Sequence, residues 1–119
     1  MTRLNVQADL RARLENFLKP INVYTHVPED RPPTFVVVKR EGGGKLDALR
    51  DRPGVSILMW AQSEAKAYAL AERVSDFMAH LKFCDGYDVV YEETLRSDPD
   101  TQTKSPRYYA SYTITTHKI

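Results

Sequence analysis

The sequence lacks the features by which secreted and membrane proteins are usually recognised. It has a single cysteine, Cys84, which excludes a disulfide within the chain. No apolar run approaches the roughly 20 residues that a transmembrane helix requires. The first residues also lack the apolar segment of a signal peptide, because charged residues such as Arg3 and Asp9 interrupt it. We therefore expect no membrane partner and no dependence on an oxidising compartment.

The sequence also lacks a marked excess of basic over acidic residues, or of acidic over basic ones. The 17 basic and 16 acidic residues leave a formal net charge of +1, whereas a dedicated nucleic-acid-binding domain is usually basic. The 42% hydrophobic and 28% charged fractions are those of an ordinary soluble protein. A length of 119 residues predicts one domain, 1–119, with a single core.

Motifs for catalysis or metal binding are not found either. The glycine run 42–44 followed by Lys45 fails as a phosphate-binding loop, because Lys39 stands in place of the first glycine and Leu46 in place of Ser or Thr. The histidines have no metal-ligand spacing with one another or with the cysteine: His26, His80 and His117. Four acidic residues could bind a cation, but they lack the dense alternation of a calcium loop: Glu92, Glu93, Asp98 and Asp100. We therefore expect that the protein is not an enzyme and that it binds no cofactor.

The most informative stretch begins with a turn at residues 51–54 and continues as a short apolar run at 55–61. From 62 to 82 the apolar spacing changes to that of one helical stripe. The stripe consists of Ala67, Leu70, Ala71, Val74, Phe77, Met78 and Leu81. Ser63 is positioned to cap this helix. A buried strand followed by an amphipathic helix predicts that the helix folds back over a sheet.

The rest of the chain completes an α+β pattern. A further helix is predicted at 5–19 with Asn5 as its cap, strands at 21–27, 34–40, 87–94 and 107–117, and loops at 41–52 and 95–106. The predicted order is α-β-β-β-α-β-β. Consecutive strands joined by loops favour a mainly antiparallel sheet, with both helices packed on one face.

Tyrosines are concentrated in the last two predicted strands: Tyr87, Tyr91, Tyr108, Tyr109 and Tyr112. If these strands pair, one face of the sheet carries a tyrosine cluster. That cluster either forms a core rim with hydroxyls reaching water or a surface that binds another protein. Stacking on nucleic acid is a third option, which the balanced charge does not favour.

The two predicted loops, together with Arg40 at the end of the strand before the first loop, carry the charged residues that we consider candidates for docking on a partner. Three consecutive glycines predict that 41–52 is mobile, and a loop as long as 95–106 is often functional. A solvated loop of mixed charge is the simpler interpretation. The candidates are Arg40, Lys45, Arg50, Arg52, Arg96, Asp98, Asp100 and Lys104.

Three segments of the chain resemble one protein family. They read Phe35-Val-Val-Val-Lys-Arg-Glu-Gly-Gly-Gly44, Asp51-Arg-Pro-Gly-Val-Ser-Ile-Leu-Met-Trp-Ala61 and Ala65-Lys-Ala-Tyr-Ala-Leu-Ala71. This pattern is similar to that of the tail terminator proteins of long-tailed bacteriophages, in particular the small proteins of phages with actinobacterial hosts. The resemblance covers residues 34–82, and the flanks agree in layout.

The resemblance implies a structural role in the virion. Such proteins form a ring, commonly a hexamer, that caps the head-proximal end of the tail tube, ends tube polymerisation and offers the head-attachment surface. The implied partners are further copies of the chain, the tail tube protein and the head–tail connector protein. Two alternatives remain open, namely a neighbouring connector (stopper or adaptor) protein and a small-ligand-binding α+β domain.

Overall fold

The computed structural model describes all 119 residues and consists of two α-helices and one five-stranded sheet. The helices are α1, Val6–Leu18, and α2, Glu64–His80. The strands are β1 Asn22–Tyr24, β2 Phe35–Lys45, β3 Arg50–Trp60, β4 Tyr87–Ser97 and β5 Arg107–His117. The predicted α+β class is confirmed. A short 3-10 helix, Leu81–Phe83, separates α2 from β4 and is missing from the predicted order.

The strands lie in the order β1-β2-β3-β5-β4. The pairs β2–β3, β3–β5 and β5–β4 are antiparallel, but β1 is parallel to β2. The prediction that consecutive strands pair antiparallel is therefore wrong for β1 and β2. The reason is that the connection 25–34 returns the chain to the starting end of β1, so that both strands run in the same direction.

Most of the hydrophobic core is one cluster of 19 buried side chains contributed by α1, α2, the 3-10 helix and all five strands. Val36 and Val38 belong to it, whereas Phe35 and Val37 lie in a second cluster with Trp60. Successive strand residues point to opposite faces, so β2 is buried on both faces at this end. The rings of Phe35 and Trp60 stack with their centroids 4.4 Å apart.

Both predicted helix caps are present. Asn5 Oδ1 accepts a hydrogen bond from Ala8 N at 3.2 Å, and Ser63 Oγ accepts one from Lys66 N at 3.1 Å. These bonds satisfy backbone donors that have no partner inside the helix. Neither helix has the length and apolar character needed to cross a membrane.

The glycine segment 41–52 is not the loop that its composition predicted. Gly42, Gly43 and Gly44 lie in β2 and pair with β3, so that only residues 46–49 form the turn of a hairpin. Gly43 has a φ of +76°, and a Cβ there would overlap the carbonyl oxygen of Arg52. The glycine permits two strands to approach closely next to a bulge. The predicted loop 95–106 is also shorter, because β4 continues to Ser97.

The tyrosines of β4 and β5 do not form one cluster. Tyr87 and Tyr112 are buried in the main core, whereas Tyr91 is 60% exposed and is paired with Thr113 on the other face. The register of β4 shifts at Asp88, and this bulge reverses the alternation that would have placed Tyr87 and Tyr91 on the same face.

Candidate functional site

The eight docking candidates divide into two groups at opposite ends of the strands. Arg40, Lys45, Arg50 and Arg52 lie on the β2–β3 hairpin, where Arg50 is paired with His117 at the end of β5. The second group lies where β4 ends and β5 begins; it comprises Arg96, Asp98, Asp100 and Lys104. The sequence predicted Arg40 on a strand, where the structure has it, and the other seven residues in two loops; four of these seven lie on strands, namely Lys45, Arg50, Arg52 and Arg96.

The turn of the hairpin is closed by Asp47 and Arg50. Asp47 Oδ2 accepts hydrogen bonds from Arg50 Nε at 2.9 Å and Nη2 at 2.7 Å. Its other oxygen accepts from the backbone N–H groups of Leu49 and Arg50. The bond from the Arg50 guanidinium, together with the backbone bonds, lowers the pKa of Asp47. This ion pair gives an exposed turn a defined shape.

Arg40 is held along the outer side of β2. Its backbone N–H donates to Gln7 Oε1 at 2.8 Å, and its guanidinium donates to the carbonyl oxygens of Gly42 at 3.1 Å and Gly43 at 3.2 Å. These carbonyls belong to a part of β2 that has no strand on that side, since β1 pairs only with residues 35–37. The side chain therefore covers part of an otherwise open strand edge.

Three further cations near the hairpin have no anionic partner within the chain. Lys39, Lys45 and Arg52 are exposed, and none of the ion pairs of the chain includes them. The sequence predicted two of these residues as docking candidates and left Lys39 out. Their charges remain available to another molecule.

Asp100 has a different environment, since its carboxylate is used inside the chain. The residue is only 5% exposed, and Oδ2 accepts hydrogen bonds from Trp60 Nε1 and Arg31 Nη1, both at 3.0 Å. Burial by itself would raise the pKa of Asp100, but the bonds from Trp60 and Arg31 outweigh it and the pKa is lowered. This carboxylate joins the segments 25–34 and 98–106 across Trp60, and it is not free to dock on a partner.

The neighbours of Asp100 are similarly engaged. Asp98 accepts a hydrogen bond from Arg107 Nη2 at 3.0 Å and forms an ion pair with Arg96 at 3.3 Å. The Arg96 guanidinium lies 4.9 Å from the centre of the Tyr109 ring. Lys104 is exposed, with a φ of +57°, and is the one candidate of this group without a side-chain partner. Sequence reasoning missed Arg31 and Trp60, because no motif links residues so distant in the chain.

A surface that the sequence did not single out is the outer edge of β4. This strand lies at the end of the sheet and pairs only with β5. Val89 is 54% exposed and Tyr91 is 60% exposed along it. Such an edge presents unpaired backbone groups together with apolar side chains.

Two acidic residues of β4, Glu92 and Glu93, have hydroxyl partners and no cationic ones, whereas Asp88 Oδ1 lies 2.8 Å from Nδ1 of His117. Glu92 Oε1 accepts hydrogen bonds from the hydroxyls of Ser75 and Tyr112, both at 2.8 Å. Glu93 Oε1 accepts one from the hydroxyl of Thr113 at 3.1 Å. Burial, followed by the bond to Glu92, raises the pKa of Tyr112. The carboxylates of Glu92 and Glu93 thus keep an uncompensated negative charge at an exposed edge.

No group of three or more His, Cys, Asp and Glu side chains lies close enough together to hold a metal ion. The sequence matches no protein-family model and none of the curated proteins with which it was compared.

Proposed function

We propose that the protein is a structural virion component, a tail terminator that forms a ring on the head-proximal end of a phage tail tube. The ring would end polymerisation of the tube and present the surface to which the head attaches. The proposal joins the resemblance of residues 34–82 to this family with the shape of the sheet.

The observation that carries the proposal is that the sheet has two open edges of different character on opposite sides. One is the full outer edge of β4, and the other is the outer edge of β2 beyond the three residues that pair with β1. A subunit of a closed ring needs two unlike side faces, because each copy contacts its neighbours head to tail. A chain with two different edges supplies both.

In this proposal the two helices cover one face of the sheet, and the β2–β3 hairpin extends from one end. The chain is elongated, with extents of 43 × 24 × 24 Å. The hairpin and the segment 98–106 lie at opposite ends of the long strands, which suits a ring subunit that contacts the tube on one side and the connector on the other.

The test is an assembly experiment with the tail tube protein. Tubes polymerised with the terminator should stop at limited lengths and carry a ring at one end in negative-stain micrographs. Tubes that grow to the same length with and without the chain would refute the proposal. Binding to the portal side alone would assign the chain to the neighbouring connector, and a melting-temperature shift with a small metabolite would assign it to the ligand-binding class.

A further inference from the structure

The near-zero net charge conceals a separation of charge between the two open edges. We define the acidic edge as Asp88, Glu92 and Glu93 of β4, with the exposed Val89 and Tyr91 between them. We define the basic edge as Lys39, Arg40 and Lys45 of β2. Glu41 also lies on β2 and, like Glu92 and Glu93, has only a hydroxyl partner, Ser56 Oγ at 2.8 Å, so the basic edge carries three cations beside one anion.

The two edges stand at the same level along the strands. Arg40 is paired with Val55, Val55 with Tyr112, and Tyr112 with Glu92. In the same way Lys45 connects through Asp51 and Thr116 to Tyr87. The part of β2 that β1 leaves open is therefore level with the part of β4 that carries the acidic and apolar side chains.

The strand directions also suit a lateral contact. Three successive antiparallel pairs separate β2 from β4, so these two strands run in opposite directions. A second copy placed beside the first in the same orientation would thus bring its β2 antiparallel to β4. The register shifts at Asp88 and Glu93 interrupt the regular alternation of backbone groups along β4. In such a contact the charged side chains, together with Val89 and Tyr91, would therefore supply most of the attraction.

We infer that the acidic edge of one copy binds the basic edge of a second copy, head to tail. This inference rests on the proposed ring and names the surfaces that join its subunits. Glu92 and Glu93, which have no cationic partner within the chain, would then meet Lys39 and Lys45, which have no anionic one, and Val89 and Tyr91 would be covered. The same charges oppose two-fold pairing, since β4 against β4 or β2 against β2 brings like charges together.

Charge reversal tests the inference. Lys39→Glu and Glu93→Lys should each weaken self-association roughly tenfold or more in sedimentation experiments, because attraction becomes repulsion. The chain that carries both substitutions should recover most of the loss, since the pair is exchanged. Lys66→Glu and Glu29→Lys are matched controls at exposed sites outside both edges, and they should leave self-association unchanged.

Disulfide trapping gives a second measurement that does not depend on affinity. Positions 39 and 93 are separated within one chain by about three strand spacings, roughly 14 Å, which is too far for a disulfide. In a Cys84→Ser background, Lys39→Cys mixed with Glu93→Cys should yield cross-linked dimers, and neither variant alone should do so. The chain with both cysteines should yield ladders that end in closed rings.

The outcomes separate this inference from the proposed function. Equal cross-linking of each single variant with itself, or wild-type self-association after either charge reversal, would overturn the edge assignment. If those same variants still cap tail tubes, the terminator role stands and the ring uses other surfaces. A wild-type chain that caps no tubes would instead end the proposed function, whatever the edges do.

Discussion

Trp60 Nε1 donates a hydrogen bond of 3.0 Å to Oδ2 of Asp100, forty residues further along the chain. Arg31 donates to the same oxygen from a third segment. The indole ring of Trp60 also stacks on Phe35. One carboxylate thus connects the two connecting segments 25–34 and 98–106 to the aromatic cluster of the sheet.

Removing this carboxylate should destabilise the protein. Asp100→Ala leaves the indole N–H and the Arg31 guanidinium without their acceptor, and we expect a loss of about 2–3 kcal/mol in the free energy of unfolding. Asp100→Asn keeps an acceptor oxygen and should lose less. Urea unfolding of both variants measures the difference. Equal stability of Asp100→Ala and wild type would show that the network contributes little.

The same site predicts a dependence on pH. The pKa of Asp100 in the folded protein lies below its ordinary value of 3.8, so the folded state favours the ionised form. The resulting stabilisation is fully present above that ordinary value and is lost as the pH falls below it toward the folded pKa. The stability difference between wild type and Asp100→Asn should therefore shrink in acid. Urea unfolding of both proteins at several pH values below 5 checks this, and a constant difference would contradict it.

Gly43 should be the least replaceable glycine of the hairpin. Its φ is +76°, and a Cβ at this position would overlap the carbonyl oxygen of Arg52 and lie 2.8 Å from Pro53 Cα, which leaves no room for a side chain. We expect Gly43→Ala to lower the free energy of unfolding by about 2 kcal/mol or more. Gly44→Ala is the matched control, because nothing lies within 4 Å of its Cβ position and its φ is not positive. Equal unfolding curves for the two variants would exclude this role for Gly43.

The class of the fold could be predicted from the sequence, because period and caps are local properties. The apolar stripe of α2 repeats with the period of that helix itself. The side-chain oxygens of Asn5 and Ser63 accept bonds from backbone N–H groups only three residues further along the chain. The extent of the hairpin could not be predicted in this way. Three consecutive glycines predict a loop because they lose much backbone entropy when they become ordered. Only their pairing with β3 shows that they allow the two backbones to approach closely.

The candidate site was predictable only in part, for a similar reason. Charge next to a predicted loop can be read from the sequence, and Lys45 and Arg52 are indeed exposed. Whether a charge is already paired depends on distant residues. Asp100 is occupied by Arg31 and Trp60, whereas Glu93 has no cation nearby, and no local pattern distinguishes the two carboxylates. The bulge at Asp88 likewise decides which tyrosines face solvent.

The cations of the hairpin are the basis of the last prediction. If the hairpin docks on the tail tube or the head connector, replacing Lys45 and Arg50 together with Glu should impair capping of tail tubes. The melting temperature should remain close to that of wild type, because both residues are exposed, Lys45 has no partner within the chain, and an exposed ion pair such as Arg50–Asp47 contributes little to stability. Tube length in negative-stain micrographs and a thermal melt of the same preparation measure the two effects. Sedimentation of the variant is needed as well, because Lys45 also belongs to the basic edge, and only a loss of capping at unchanged self-association assigns the effect to docking.

A matched control separates docking from a general effect of charge. Lys66→Glu combined with Lys82→Glu makes the same change in net charge at exposed positions on or just after α2, outside the hairpin. Tubes should be capped normally by this variant. Loss of capping in parallel with loss of thermal stability in the Lys45 and Arg50 variant would show that the hairpin is needed for folding, and would refute its assignment as a docking element.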